Sequence, residues 1–240
     1  MVDILYEDNH LLVVNKPFGM PSQGDQTRDL NVYDWAKEYI RVAYQKPGQV
    51  YLGLVHRLDR PAGGVLVLAK TSKAASRLSK QFQAKEVKKI YYALVEQAPL
   101  PSHGELKHFL KKLPGKNIMR AYPKPVAEAK EASLGYRTLE KSGGQALLEV
   151  KLHTGRRHQI RVQLASLGAT IKGDVKYGKT DFNPDKSICL LARRLTFTHP
   201  TQKKDLTVEI PIPDGPIWRP FNRLDRSRTG VTQARVSWGA

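Results

Sequence analysis

The stretch Leu52-Gly-Leu-Val-His-Arg-Leu-Asp-Arg-Pro-Ala-Gly-Gly-Val-Leu-Val-Leu-Ala-Lys70 sets one carboxylate, Asp59, between two apolar runs. Residues 52–55 and 65–69 are typical of short buried strands, and Pro61-Ala-Gly-Gly64 favours a bend between them. The pattern therefore predicts that Asp59 lies at a strand end or in a turn.

The residues beside Asp59 are basic: His56, Arg57 and Arg60. Burying a carboxylate costs several kcal/mol unless donors satisfy it, and neighbouring arginines both supply donors and favour the ionised form. This spacing leaves two interpretations open. Asp59 is either a structural turn residue held by arginine or an ionised group that carries out chemistry.

The composition points to a polyanionic partner. The 240 residues include 40 Lys and Arg against 22 Asp and Glu, a formal charge of +18. Such an excess favours nucleic acid as the partner, and a merely basic soluble protein is the alternative.

The cysteine count and the apolar runs suggest the compartment. The single cysteine, Cys189, excludes an internal disulfide framework, and the Cys and His residues do not show zinc-ligand spacing, so we expect no metal. The first residues carry acids where a signal peptide carries bases, and the apolar runs are shorter than a membrane span. We therefore predict a cytoplasmic protein that does not enter a membrane.

Strand and helix signals alternate along the chain. Strands are expected at residues 4–6, 11–14, 90–95, 146–152, 187–197 and 206–210, and helices from Asn31 to Tyr44 and from Ser72 to about Val87. This pattern predicts an α+β fold with a mixed, largely antiparallel central sheet, flanking helices and basic loops.

Two segments look less regular. The stretch from Lys107 to Lys130 contains seven bases with Pro and Gly, and we interpret it as a basic, mobile loop. Beyond Trp218 the hydrophobic pattern fades. We therefore predict a catalytic domain over residues 1–217 and a basic, flexible tail over 218–240.

A second cluster of functional residue types lies between Leu152 and Gly168, where a strand ends near Thr154-Gly155 and a helix follows. The apolar face of this helix is predicted to contain Ile160, Leu164 and Leu167. Arg161 is expected at the margin of that face, where it could meet a carboxylate from elsewhere in the chain.

Four motifs together resemble the RluA-type pseudouridine synthases, which isomerise uridine in RNA. They are Asn15-Lys-Pro-Phe-Gly19, His56-Arg-Leu-Asp-Arg60, Lys89-Ile-Tyr-Tyr-Ala93, and Thr154-Gly-Arg-Arg-His-Gln-Ile-Arg161 with Gly173-Asp-Val-Lys-Tyr-Gly178 downstream. Each motif alone is a weak signal, but the order and spacing of all four agree with the family.

The chain departs from the family pattern at several positions. Pro61-Ala-Gly-Gly64 stands where the family usually has Thr-Ser-Gly after the aspartate, and Gln163 and Leu191 stand where histidines are common. A second sequence like the catalytic motif, Asn222-Arg-Leu-Asp225-Arg, is not followed by an apolar run, and we interpret it as chance similarity in an arginine-rich tail.

The resemblance implies a reaction in which the C1′–N1 bond of uridine breaks, the uracil turns, and C1′ joins C5. Asp59 is the implied catalytic residue, and it either attacks C1′ or takes a proton from C2′. A partner such as Arg161 would favour its ionised form. Tyr91 would stack on the uracil with Leu164 packed nearby, and Arg57 would fill the space left by a flipped uridine or grip its phosphate.

The implied partner is RNA, ribosomal or transfer, presented as a stem-loop with a flipped uridine. The reaction adds and removes no atom except a proton, so we expect no cofactor. The candidate RNA contacts are the basic helix from Ser72, the Lys107 to Lys130 segment and the tail. We expect a monomer that does not act on DNA.

Two other functions remain as alternatives. A catalytically silent RNA-binding protein on the same scaffold would keep the fold without the reaction. An N-glycosidase would use Asp59 with Asp174 and would release free uracil. Asp174 is more simply explained as a residue that orders the turn from Gly173 to Gly178.

Overall fold

The computed structural model describes residues 2–178 and 183–226, which form β-strands and short helices. The chain divides into two compact units. The described residues of the first are 2–87 and 194–210, and those of the second are 88–178, 183–193 and 211–226.

The first unit is built on two strands, at residues 11–16 and 63–69, that are buried on both faces. Its elements are β1 (Asp3–Glu7), β2 (Leu11–Lys16), α1 (Val32–Ala43), β3 (Gly53–Leu54), β4 (Gly63–Ala69) and α2 (Ser72–Gln83). β2 pairs antiparallel with both β1 and β4, and β3 also pairs with β4. Val13 lies opposite Val67 in this ladder, and both are fully buried.

The helices of this unit follow their local signals. Asn31 caps α1 through its side chain, which accepts a hydrogen bond from the Asp34 N–H, and Tyr44 is the C-cap, as predicted. α2 is shorter than predicted: it ends at Gln83 rather than near Val87, and Lys85 adopts a left-handed φ of 60° that the helix cannot continue through.

The second unit contains an antiparallel sheet in the order β5-β9-β8-β6-β7. Its elements are β5 (Lys88–Val95), β6 (His103–Lys112), β7 (Met119–Tyr122), β8 (Lys130–Ser142), β9 (Gln145–Leu152) and α3 (Gln159–Ser166). Strand β10 (Leu190–Thr198) begins in this unit and continues into the first, where β11 (Asp205–Glu209) pairs with it.

The prediction of a loop running from Lys107 to Lys130 was wrong in part. Strands β6 and β7 lie within this segment and pair antiparallel, with Phe109 opposite Tyr122 and Lys111 opposite Arg120, whereas residues 113–118 and 123–129 lie outside the strands. β6 also pairs with β8, a strand that the sequence patterns did not indicate. Successive side chains of β6 point to opposite faces of the sheet, but the many lysines make this two-residue alternation hard to detect in the sequence. The partner strand that fixes the register, β8, begins only at the end of the segment.

The start of the predicted tail is packed. Residues Arg219–Phe221 form a 3₁₀ turn, α4 (Arg223–Arg226) follows, and Trp218 and Phe221 are buried in the second unit. The rest of the tail, residues 227–240, lies outside the described residues. The α+β class with a largely antiparallel sheet is confirmed. Within the described ranges, no helix has the length and hydrophobicity of a membrane span.

Candidate active site

Asp59 lies in the first unit, in the connection between β3 and β4, and its side chain is partly buried. Its backbone carbonyl accepts a hydrogen bond from the Ala62 N–H at 3.1 Å, which closes a turn. The prediction that Asp59 lies in a turn is confirmed. The strand before it is shorter than expected, because only Gly53–Leu54 pair with β4.

Ser22 holds the peptide immediately before Asp59. Its hydroxyl donates to the Leu58 carbonyl at 2.9 Å and accepts from the Leu58 N–H at 3.1 Å. Ser22 and Leu58 are both buried. One side chain thus satisfies both polar groups of a backbone position that faces no water.

Lys16 holds the turn after Asp59, at the peptide between Arg60 and Pro61. Its fully buried Nζ donates to the carbonyls of Pro17 at 2.8 Å, Met20 at 2.6 Å and Arg60 at 3.1 Å. Burial lowers the pKa of Lys16 to about 7; the Asp59 carboxylate acts in the opposite direction and Arg60 acts with burial. Three carbonyl acceptors match the three N–H bonds of the ammonium form.

The loop after Lys16 packs closely on the turn that carries Asp59. A Cβ at Gly63 would lie 2.8 Å from the ring of Phe18, so any larger residue would have to displace this ring. Gly64 has a φ of 119°, which side-chain-bearing residues rarely adopt. These two glycines allow the loop and the turn to approach each other where β4 begins.

The basic residues around Asp59 have separate roles. Arg60 pairs with Asp29 and donates to Thr27 Oγ1 and the Gly19 carbonyl, both at 3.1 Å, so its side chain ties down the segment after β2. His56 Nε2 accepts from the Val67 N–H at 3.0 Å, and its ring stacks on Phe82. Arg57 is exposed.

Arg161 lies in the second unit, on α3, and forms a bidentate ion pair with Asp174. Arg161 Nε lies 2.7 Å from Asp174 Oδ2, and Nη2 lies 2.8 Å from Oδ1. The prediction that Arg161 meets a carboxylate from elsewhere in the chain is confirmed, but its predicted place at the margin of an apolar face is wrong, because it is only 4% exposed and residues 159–164 are all buried. A helix buried on every side tolerates this charge because Asp174 neutralises it.

Tyr177 supports the same arginine from the turn after α3. Its ring centroid lies 5.3 Å from Arg161 Cζ, and its hydroxyl lies 2.7 Å from His158 Nδ1. The hydroxyl also accepts from the Met119 N–H of β7 at 2.8 Å. Asp174 Oδ1 accepts from the Lys176 N–H at 3.2 Å, as expected for a residue that orders this turn. With both oxygens on Arg161 as well, Asp174 is poorly suited to act as a second catalytic acid.

The other predicted site residues also lie in the second unit. Tyr91 is partly buried on β5, opposite Val150 of β9. Leu164 is fully buried on α3, so it belongs to the packing of the helix. Gln163, one of the departures from the family pattern, is buried, and its Nε2 lies 3.0 Å from His108 Nδ1.

The sequence patterns did not assign specific roles to Lys16, Ser22 and Tyr177. Lys16 and Tyr177 lie in two of the family motifs, so those motifs were the signal that could have identified them. Ser22 gave no signal, because its partner Leu58 lies 36 positions away along the chain.

The comparisons with known proteins identify one family. The model described as RNA pseudouridylate synthase matches residues 10–166. Ribosomal large subunit pseudouridine synthase D of Nitrosomonas europaea is 36% identical over 222 residues, 88% of this chain and 62% of that protein. The corresponding synthase C of Vibrio cholerae is 33% identical over 216 residues, 87% of this chain and 65% of that protein.

Solved structures agree with this result. Human RNA Pseudouridylate Synthase Domain Containing 4 has a TM-score of 0.73 at 26% identity, over 88% of this chain and 89% of that chain. Domain Containing 1 has a TM-score of 0.72 at 22% identity over 96% of each chain, which shows a shared fold. The chain spans 62% to 65% of the length of the two bacterial relatives. From the match over residues 10–166, the chain belongs to the RNA pseudouridylate synthase family.

Proposed function

We propose that this chain isomerises specific uridines in structured RNA to pseudouridine, with Asp59 as the catalytic residue. The observation that carries the proposal is the fixed Asp59 turn: Ser22 binds the Leu58 carbonyl before Asp59, and Lys16 binds the Arg60 carbonyl after it. A catalytic carboxylate must be held to a fraction of an ångström, and these two buried contacts restrict its backbone.

The reaction needs Asp59 in its ionised form. The C1′–N1 bond breaks, the uracil turns within the site, C1′ joins C5, and the proton on C5 is lost while N1 gains one. Asp59 either attacks C1′ or takes a proton from C2′, and asparagine can perform neither step. The uracil must be retained and water excluded until C1′ joins C5.

The remaining predicted residues bind the nucleotide in this proposal. Tyr91 stacks on the uracil, Arg161 binds the nucleotide while Asp174 fixes its orientation, and Leu164 supports α3 from within. Arg57, which is exposed, grips a phosphate or fills the space of the flipped uridine.

The substrate in this proposal is a stem-loop of ribosomal RNA, with transfer RNA as the second choice. The names of the bacterial relatives, which specify the large ribosomal subunit, support this order. The chain is proposed to act as a monomer in the cytoplasm, on RNA and not on DNA. Its net charge of +18 supports a polyanionic substrate.

The product distinguishes this function from its alternatives. Ribosomal and transfer RNAs are incubated with the purified protein, digested to nucleosides and analysed by mass spectrometry and chromatography. We expect pseudouridine to form with no release of free uracil. Free uracil would indicate an N-glycosidase, and RNA binding without either product would indicate a silent RNA-binding protein.

A further inference from the structure

Strand β3 ends after two residues, and a side chain takes the place of its next backbone group. Leu54 pairs with Leu68 of β4, so a longer β3 would bring Val55 opposite Val67. Val55 lies outside the strand, and the Val67 N–H donates instead to His56 Nε2 at 3.0 Å. Val67 is fully buried, so its N–H needs an acceptor from the protein. His56 therefore satisfies the backbone of β4 where β3 stops.

The imidazole ring of His56 is also held by α2. It stacks on Phe82, with 4.7 Å between the ring centroids and 22° between the ring planes. α2 packs closely on β3, because a Cβ at Gly53 would lie 2.7 Å from the Ala75 Cβ. β4 thus binds one nitrogen of the ring and α2 covers one face of it, so two elements of the first unit set its orientation.

The contact with β4 requires one form of the imidazole. A ring nitrogen that accepts a hydrogen bond carries no hydrogen, so the neutral His56 ring has its hydrogen on Nδ1. A doubly protonated ring would place an Nε2–H against the Val67 N–H, and two donors cannot bind each other. The backbone therefore occupies His56 Nε2, and this nitrogen is not available as an acid or base toward a substrate.

His56 stands at the start of the backbone that carries Asp59. Ser22 binds both backbone groups of Leu58, two positions after His56. Arg57 is the single residue between these two fixed points, and Asp59 follows them directly. Loss of the His56 contact would therefore shift the backbone of this segment. The long, exposed side chain of Arg57 can adjust to such a shift, whereas the short side chain of Asp59 moves with its backbone.

We propose that His56 is a positioning residue for Asp59: its neutral ring, stacked on Phe82, replaces the missing backbone acceptor of β3 and fixes the start of the Asp59 turn. The inference rests on the proposed function for the reaction that this turn serves. It gives His56 a role that is neither RNA binding nor proton transfer. All the groups involved lie in the first unit.

Two substitutions separate the acceptor from the ring. His56→Gln loses the ring but keeps an acceptor, because its amide oxygen can reach the position of Nε2. His56→Phe keeps a ring on Phe82 but loses the acceptor. We expect His56→Phe to lower the single-turnover rate about 10- to 100-fold, the loss that a displacement of about 1 Å causes, with RNA affinity within about 2-fold of the parent. His56→Gln should stay within about 5-fold of the parental rate, because the Val67 N–H keeps its partner.

The histidine nitrogens give a test that does not depend on activity. Long-range hydrogen–nitrogen NMR spectra, recorded at about pH 8 where an ordinary histidine is neutral, show which ring nitrogen carries the hydrogen. We expect the His56 ring to carry it on Nδ1 and not on Nε2, with the signals assigned by their loss in His56→Gln. The control His103→Phe makes the same substitution at an exposed histidine of β6 and should leave the single-turnover rate at the parental value.

Three outcomes would overturn the inference. These are a parental single-turnover rate in His56→Phe, equal losses of rate in His56→Phe and His56→Gln, and a hydrogen on Nε2 of His56. Circular dichroism and thermal unfolding establish that each variant is folded at the assay temperature, so that a lower rate does not come from unfolded protein. A parent that forms no pseudouridine would refute the proposed function, and the nitrogen spectrum would still show whether His56 binds β4.

Discussion

The backbone before and after Asp59 is held by side chains that do not themselves carry out the reaction. Ser22 satisfies both backbone groups of Leu58, and Lys16 binds the carbonyl of Arg60. Two buried contacts, both from the segment around the end of β2, therefore set the position of the carboxylate. Substitutions at Lys16 and Ser22 should therefore lower the reaction rate because they displace the Asp59 carboxylate.

Ser22→Ala tests the contact before Asp59. The change leaves the Leu58 N–H and carbonyl without their partner in a buried place, so we expect a loss of about 1–3 kcal/mol in the free energy of unfolding. A displaced Asp59 should also lower the single-turnover rate about 10- to 100-fold. Urea unfolding and rapid-quench kinetics measure the two effects. Ser76→Ala, on the exposed side of α2, is the control and should change neither value.

Lys16 makes stability depend on pH in a defined direction. Its pKa in the folded protein is about 7 against 10.5 for an ordinary lysine. Between these values the unfolded chain binds the proton and the folded protein does not, so raising the pH stabilises the fold. From pH 7.5 to 9 we expect the parent to gain about 2 kcal/mol relative to Lys16→Met. Urea unfolding at each pH measures the difference.

The titration of Lys16 can also be observed directly. The side-chain carbon next to Nζ should shift in NMR spectra with a midpoint near pH 7. A midpoint near 10, together with a pH-independent difference from Lys16→Met, would show that the three carbonyls hold the ammonium more strongly than burial opposes it.

At the scale of single residues, the sequence predicted Asp59 but not the side chains that hold its turn in place. Asp59 was identifiable because a carboxylate between arginines and apolar runs is unusual. The contact of Lys16 with Arg60 spans 44 positions and that of Ser22 with Leu58 spans 36, so local patterns carry no information on them.

At the scale of elements, α3 and the turn after it form one polar assembly inside the second unit. Asp174 pairs with Arg161, and the Tyr177 hydroxyl joins His158 to the backbone of β7. The arginine is thus oriented by the turn that follows its helix, and that turn is joined to β7.

Tyr177→Phe separates the two contributions of this tyrosine. The variant keeps the ring beside Arg161 but removes the hydroxyl, so we expect a loss of about 1–3 kcal/mol in unfolding free energy and a modest loss of activity. Tyr177→Ala also removes the ring contact and should reduce activity further. Thermal unfolding and single-turnover assays measure both. Equal activity in the two variants would mean that the ring does not orient Arg161.

Local signals predicted some elements well and others poorly. The bounds of α1 follow from the Asn31 cap and a regular apolar spacing, both readable within a dozen residues. The region from β6 to β8 was misjudged because its strands are defined by partners far along the chain. α3 was expected to be amphipathic because the charge of Arg161 seemed to need an exposed position. The ion pair that allows its burial is formed by Asp174, 13 positions later, which the pattern of the helix alone does not indicate.

At the scale of the whole molecule, the positive charge and the family agree. The chain carries a formal charge of +18, and its residues 10–166 match the RNA pseudouridylate synthase model. The fold class and the family were predictable because four motifs occur in order. The division into two compact units was not, because each unit is assembled from segments that lie far apart along the chain.

The most direct test of the account is tritium release from RNA labelled at uridine C5, because joining C1′ to C5 expels that hydrogen. The purified protein and its Asp59→Asn variant are incubated with the same ribosomal and transfer RNAs without an added cofactor. We expect release by the parent and a rate at least about 10⁴-fold lower for the variant, comparable with losses of a catalytic side chain in other enzymes. Equal release by the two proteins, or none by the parent on the full panel of RNAs, would contradict it.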